Sequence, residues 1–338
     1  KGGWMNVFEL LAELYYTDDD SETDNNTTDD DVYGNSGEVY YTCFIDENYY
    51  SNSMARGKDM KEKEYNTYNH GSAPFALVTG ASSGMGLEFA KQLAQRGYNL
   101  LIVSNEEAIH RAAKEIQDTY QAPHTADAHS AITVLPLVMD LGRQESAREL
   151  YEYTRAQEIE IEVLVNNAGV YHDRDILDDS EAFTSLIFNL HMHTPAMLCY
   201  LFGQDMRERR KGYILNVCSV TNKIAVQRLG TYGSTKAFLN NFTRSLHIEL
   251  KPYGVHVTNV SPGAVDTGLY NIHPALTQIG KCLGIIATPR MLVRRGLRAL
   301  FLGCSKVTVP TVFWLLLTTI ILFIPTCLLR LIRRLRLF

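Results

Sequence analysis

Tyr232 and Lys236 place a phenol and an ammonium four residues apart, thirteen residues after Ser219. Positions i and i+4 of a helix lie on one face. An ammonium beside a phenol favours the phenolate, so such a tyrosine can exchange a proton with a carbonyl or an alcohol near neutral pH. Two such residues also occur together as an ordinary solvated helix face. The pair takes its meaning from what precedes it.

Upstream, Phe75-Ala76-Leu77-Val78 reads as a buried strand, and Glu88 to Gln95 as a helix with Leu87, Ala90, Leu93 and Ala94 on one side. Between them runs Thr79-Gly80-Ala81-Ser82-Ser83-Gly84-Met85-Gly86. Backbone amides at a helix N-terminus can hold a pyrophosphate, and glycine lets the phosphate come close. In a strand–turn–helix context this spacing, G-x-x-x-G-x-G, points to nucleotide binding rather than to a tight turn alone.

Together these motifs resemble those of the short-chain dehydrogenase/reductase family, from about Pro74 to Thr267. The glycine turn matches T-G-x-x-x-G-x-G. Asn166-Asn167-Ala168-Gly169 follows the strand Val163-Leu164-Val165, Ser219 ends the strand Tyr213 to Cys218, and Tyr232 and Lys236 form Y-x-x-x-K. Ser261-Pro262-Gly263 is followed by Thr267. The resemblance implies an NAD(P)-dependent oxidoreductase moving a hydride between nicotinamide and a ketone or secondary alcohol. It implies Tyr232 as general acid or base, Lys236 as its pKa-lowering partner and a ribose ligand, and Ser219 as the group that orients the substrate oxygen. Asn189 matches the family's fourth catalytic residue, which positions a water relaying protons to the lysine. The usual N-x-x-G is not kept there, because His191-Met192-His193 follows.

The same resemblance implies a cofactor set of Gly80, Ser82, Ser83, Gly84, Met85, Gly86, Ser104, Asn105, Asp140, Asn167, Ala168, Gly169, Tyr232, Lys236, Pro262, Gly263 and Thr267. Asp140 matches an adenine-contacting aspartate, and is equally suited to cap the next helix. An acid ending the second strand would bind a ribose 2′-OH and repel a 2′-phosphate. Here Ser104-Asn105 precedes Glu106-Glu107, so NADP(H) is favoured, and Glu106 keeps NAD(H) as the alternative. The competing class is a non-catalytic nucleotide-binding scaffold or redox sensor, which has no use for a proton donor.

From residue 74 strands and helices alternate. Strands are expected at 75–79, 99–103, 132–138, 162–166, 212–218 and 255–260, with helices at 84–96, 106–119, 143–157, 180–209 and 230–252. The fold class expected is α/β, a Rossmann-like doubly wound parallel sheet with helices on both faces. Ligands then bind at the carboxyl ends of the strands, where the motifs fall. By resemblance, the helices 180–209 and 230–252 pair copies into a homodimer or homotetramer.

This domain, 71–300, lies between an acidic leader (1–70) and an apolar tail (301–338). The overall net charge of −6 hides 16 acidic and 5 basic residues in the first seventy. Thr17 to Asp31 carries eight acids in fifteen residues, a self-repelling composition expected to be disordered. It lacks the glycine and closing glutamate of a calcium loop. The leader has no secretory signal pattern, and the chain does not open on Met, as a fragment or processed start would not. No basic block with interleaved aromatics suggests nucleic acid. The six cysteines form no C-x-x-C pair, which fits reduced thiols in a cytosolic-facing protein. His191-x-His193 is too sparse for a metal site and suits a helix face or substrate wall.

Val307 to Leu329 runs 23 residues without a charge, and Arg330, Arg333, Arg334 and Arg336 follow. A shallow or hairpin insertion, with Pro310 and Pro325 as breaks and the arginines at anionic headgroups, is favoured over a single span. Packing on the fold as a substrate lid is the third reading. The catalytic domain is expected to face the cytosol. The apolar tail and the apolar segment 264–290 point to a lipophilic ketone, first a long-chain 3-keto lipid such as 3-ketosphinganine and second a steroid.

Overall fold

The structure, a computed structural model, describes residues 73–120, 132–171, 173–223, 227–266 and 286–309. The acidic leader, Thr267 and the residues after Val309 lie outside the described residues.

Seven parallel strands form one sheet. They are β1 (Phe75–Thr79), β2 (Asn99–Ser104), β3 (Val134–Val138), β4 (Ile161–Asn166), β5 (Gly212–Val217), β6 (Val255–Pro262) and, last in the sheet, β9 (Lys306–Val309), in the order β3-β2-β1-β4-β5-β6-β9. β7 (Ala264–Val265) and β8 (Ile286–Ala287) pair separately. The chain runs outward from β1 to β3, then returns to β4 on the other side of β1. That reversal opens a crevice at the carboxyl ends of β1 and β4, where a Rossmann-like sheet takes its ligand.

Alternation along each strand builds two cores. Ala76, Val78, Leu100, Ile102, Val163 and Val165 face one layer. It contains Phe89 and Leu93 of α1 (Gly84–Ala94), Ile109 and Ile116 of α2 (Ala108–Tyr120), and Leu292 and Leu297 of α7 (Pro289–Phe301). Leu77, Leu101 and Leu164 face the other. That layer holds Leu150 of α3 (Ser146–Ala156), Leu198, Phe202 and Met206 of α5 (Thr194–Glu208), and Leu250 of α6 (Gly230–Leu250). A fully buried leucine or phenylalanine contributes about 1.5–3 kcal/mol, so both faces of the sheet are firmly covered.

Three features depart from the sequence expectation. The helix expected at 180–209 is α4 (Glu181–Phe188), a π turn (Asn189–His193) and α5. Ser180 caps α4 by accepting from the Phe183 N–H. The Thr194 N–H reaches back to the Asn189 carbonyl, five residues away, and Pro195 has no N–H to close an α-helical bond onto the His191 carbonyl. Second, α7 was not anticipated, although Thr288 accepts from the Met291 N–H and Pro289 sits at the helix start. Third, the uncharged run beginning at Val307 starts inside the sheet, because β9 pairs with β6. Among the described residues no helix is long and apolar enough to cross a membrane.

Candidate active site

Thr79, at the end of β1, ties the glycine turn to the neighbouring strand. Its Oγ1 accepts from the N–H groups of both Asn167 and Ala168, each at 3.0 Å. The Asn167 amide returns the bond, donating to the Thr79 carbonyl at 3.0 Å and the Gly80 carbonyl at 3.2 Å. The first glycine-turn residue, Gly80, has φ +65°, and a β-carbon on it would meet the Ala168 Cα at 2.8 Å. A β-carbon on Gly86 would meet the Gly80 carbonyl oxygen at 2.0 Å. The turn therefore folds only because these positions lack side chains.

Above the turn lies a cleft of about 430 Å³. Gly80, Ser82, Ser83, Gly84, Met85, Ser104, Asn105, Asp140, Asn167, Ala168, Gly169, Pro262 and Gly263 of the anticipated cofactor set line it, with Ser219, Tyr232 and Lys236. Gly86 does not line the cleft and shapes it from behind. Asn189 is not among the lining residues, and His191, two residues on, takes the wall instead. Residues two apart on a helix face opposite sides, so the turn that brings His191 to the wall points Asn189 away from it. Met139, Val170 and Leu190 also line the cleft and were not anticipated in the site. Glu106, the alternative ribose ligand, and Val265, of the apolar segment 264–290, line it too. Asp140 Oδ1 accepts from the Gly142 N–H at 2.9 Å, so it closes a turn before α3 instead of capping that helix.

The fit to a dinucleotide rests on unsatisfied donors and an unsatisfied acceptor at the cleft. α1 begins beneath the cleft with no side-chain cap from Ser83 and no acid in its first turn, which leaves its amides available to an anion. Asn167 Oδ1 is buried with no protein partner among the described residues. Residues able to hold a nicotinamide cofactor are thus present. No group of three or more His, Cys, Asp or Glu among the described residues could hold a metal ion.

Tyr232 and Lys236 both sit on α6, and both are buried. The lysine Nζ lies 5.8 Å from the Tyr232 ring centroid and donates to the Val217 carbonyl at 3.1 Å. Ser219 Oγ accepts from the Thr221 hydroxyl at 2.9 Å and the Thr221 N–H at 3.2 Å. Two acceptances leave its own hydrogen to donate to a third group. Thr221, whose role no motif signals, thus orients the serine. Asn222 donates to Ser261 Oγ at 3.2 Å, which donates to Asn259 Oδ1 at 2.9 Å, fastening the serine loop to the end of β6. The Cys218 thiol is pushed up to about 12 by burial, so the cysteine next to Ser219 is an inert wall.

Burial lowers the Lys236 pKa from the usual 10.5 to about 8. Below pH 8 folded and unfolded chains both hold that proton, and the fold bears the full cost of the buried charge. Between about 8 and 10.5 the unfolded chain binds more protons, so this residue makes stability rise with pH. Lys306, lowered by burial to about 8, acts with the same sign. Lys236→Met should therefore raise the thermal midpoint at pH 7 and flatten its climb from pH 8 to 10. A lower midpoint with the wild-type slope would show that the ammonium stabilises the fold.

A Rossmann-like sheet with a glycine turn at its switch point, a serine after β5 and a Tyr, Lys pair on the helix beside it defines a dinucleotide-dependent oxidoreductase class. Residues 74–274 match the short chain dehydrogenase family, and the chain belongs to it. It is 33% identical over 227 residues to a very-long-chain 3-oxoacyl-CoA reductase of Aspergillus terreus, covering 65% of this chain and 59% of that protein. The chain thus spans about three fifths of that reductase. It is 28% identical over 250 residues to a Pongo abelii protein named inactive hydroxysteroid dehydrogenase-like protein 1, covering 71% of this chain and 68% of that one. A short-chain dehydrogenase from Sphingobium yanoikuyae, solved in complex with NADPH, superposes with a TM-score of 0.61 at 24% identity, over 75% of this chain and 96% of that one.

Proposed function

We propose that the protein is an NADP(H)-dependent oxidoreductase that interconverts a lipophilic ketone and its secondary alcohol. The observation that carries this reading is the joint burial of Tyr232 and Lys236 in the cleft wall that Ser219 also lines. The nicotinamide, when bound, supplies or accepts the hydride. Ser219 donates to the substrate oxygen and polarises it. Tyr232 gives that oxygen its proton in reduction and takes it back in oxidation. Lys236 holds positive charge beside the phenol and offers donors to the ribose. The cleft walls exclude water and orient the carbonyl carbon.

The scaffold alternative gains weight from the relative named inactive, and loses it from the intact Ser219, Tyr232 and Lys236 set. Titrating the protein with NADPH and NADH by nicotinamide fluorescence, then screening ketones for NADPH consumption, separates the two readings. Binding without turnover on any ketone would favour the scaffold.

Cofactor choice is read at the end of β2. Ser104 Oγ donates to Ser82 Oγ at 3.1 Å and accepts from the Glu106 N–H at 3.3 Å, a compact neutral pair where a repelling carboxylate would otherwise stand. Ser104→Asp should weaken NADPH relative to NADH by on the order of tenfold or more. An unchanged ratio in the fluorescence titration would move the ribose contact elsewhere, with Glu106 first in line.

For substrate we propose a long-chain 3-keto lipid, with a steroid second. The apolar cleft residues Met139, Leu190 and Val265 and the likeness to a 3-oxoacyl-CoA reductase support this reading. We also propose that the tail brings the domain to a membrane surface with its cleft in the cytosol, which co-sedimentation with anionic vesicles tests. Exposed Tyr200, Phe238 and Ile248 on α5 and α6 support pairing through those helices, and a monomer mass by light scattering would refute it.

A further inference from the structure

We propose that His191 is a positioning residue: as a neutral imidazole protonated on Nδ1, it ties the loop Asn167–Val170 to the helix that carries Tyr232 and Lys236. The proposal rests on the reading of those two residues as the proton-transfer pair, and adds to it the part that holds them in register with the cofactor wall.

The direction of every hydrogen bond follows from one group that can only donate. The Val170 N–H lies 3.0 Å from His191 Nε2, so Nε2 must accept. In a neutral ring the hydrogen then sits on Nδ1, which faces Thr235 Oγ1 at 3.1 Å. Thr235 Oγ1 in turn donates to the Tyr232 carbonyl at 2.8 Å. The chain Val170, His191, Thr235, Tyr232 runs one way with each donor matched to an acceptor. The histidine is 1% exposed and Thr235 wholly buried, so water does not compete for these bonds.

The ring also meets the reacting group from the side. Its centroid is 5.6 Å from that of Tyr232, edge to face. A β-carbon on Gly169 would come within 2.9 Å of Nε2 and 3.7 Å of Lys236 Nζ. The imidazole, the Gly169 backbone and the lysine therefore share one small volume, and a shift of any one moves the others. Protonation would turn Nε2 into a donor facing the Val170 N–H and break the clamp. Burial, aided by the Lys236 ammonium, holds the His191 pKa well below its usual 6.5, so the neutral form is the working one.

Two measurements test this. In the wild-type protein at pH 7, nitrogen-edited NMR of the imidazole should show a protonated Nδ1 and a bare Nε2. The opposite tautomer, or an imidazolium, overturns the proposal, whether or not the protein reduces any ketone. In turnover, His191→Phe keeps a ring of similar size and loses both bonds. It should lower kcat by about 10²-fold with KM for the ketone nearly unchanged, the size of effect a small misplacement produces. His191→Gln, whose amide oxygen can accept from the Val170 N–H, should recover at least about a tenth of the wild-type kcat. Equal loss in both variants, or a loss of thermal stability with kcat per folded molecule unchanged, means the histidine only fills space, and the proposal fails.

Discussion

Tyr232→Phe should cut ketone reduction by about 10²- to 10⁴-fold and leave NADPH binding within roughly twofold of wild type. The magnitude is that of a general acid removed from its transition state. The selectivity follows from the surroundings. The Tyr232 backbone carbonyl accepts from Thr235, and the ring is held between Tyr171 at 5.5 Å and His191 at 5.6 Å between centroids. A phenylalanine keeps all three contacts and loses only the hydroxyl. Paired measurements of steady-state turnover and nicotinamide fluorescence check both halves. Retained turnover would overturn the mechanism, and lost NADPH binding would make the phenol a cofactor ligand first.

Gly86→Ala should destroy nucleotide binding and destabilise the domain by at least about 3 kcal/mol, at or beyond the upper end of ordinary overpacking. The new methyl would sit 2.0 Å from the Gly80 carbonyl oxygen and 2.6 Å from Asn167 Nδ2. Neither can yield cheaply. The carbonyl belongs to a turn already at positive φ, and the amide is the group that bonds the Thr79 and Gly80 carbonyls. Thermal unfolding should show a drop of roughly 6–12 °C. Gly203→Ala is the matched control. Its nearest atom would be 3.7 Å away in the middle of α5, so alanine there should be neutral or mildly stabilising. Equal melting of the two variants would mean that the glycine turn adapts.

The strands were legible because each is a short apolar run closed by a polar or glycine residue: Phe75–Thr79 before Gly80, Ile161–Asn166 before Asn167, Gly212–Val217 before the Ser219 loop. The glycine turn and the Tyr232, Lys236 pair were legible because their spacing within one turn or one helix survives any tertiary rearrangement. The π turn was not. A reading at 3.6 residues per turn carries the phase of residues 180–188 straight through to 209, and the wider π turn at Asn189–His193 resets that phase for α5. Its cause was present in Pro195, whose missing N–H disfavours the regular continuation. α7 also had a signal, since Thr288-Pro289 marks a helix start and Leu292, Val293, Leu297 and Leu300 share a face while Arg294 and Arg298 do not. β9 had none. Lys306–Val309 merges into a longer uncharged run, and only its pairing partner on β6 distinguishes it.

That last strand has a consequence for whatever is joined to it. β9 runs parallel to β6, and Val309 stands opposite Pro262, one of the residues lining the cleft. An antiparallel strand in the same place would have released the chain at the far edge of the sheet. The parallel one ends at the sheet edge where the cleft lies, so a short flexible fusion made at Val309 would have an effective concentration near the cleft on the order of millimolar, falling slowly with tether length. A ligand, a label or a second domain fused at residue 309 would meet the cleft as an intramolecular neighbour, while one fused ahead of β1, at the opposite edge, would not.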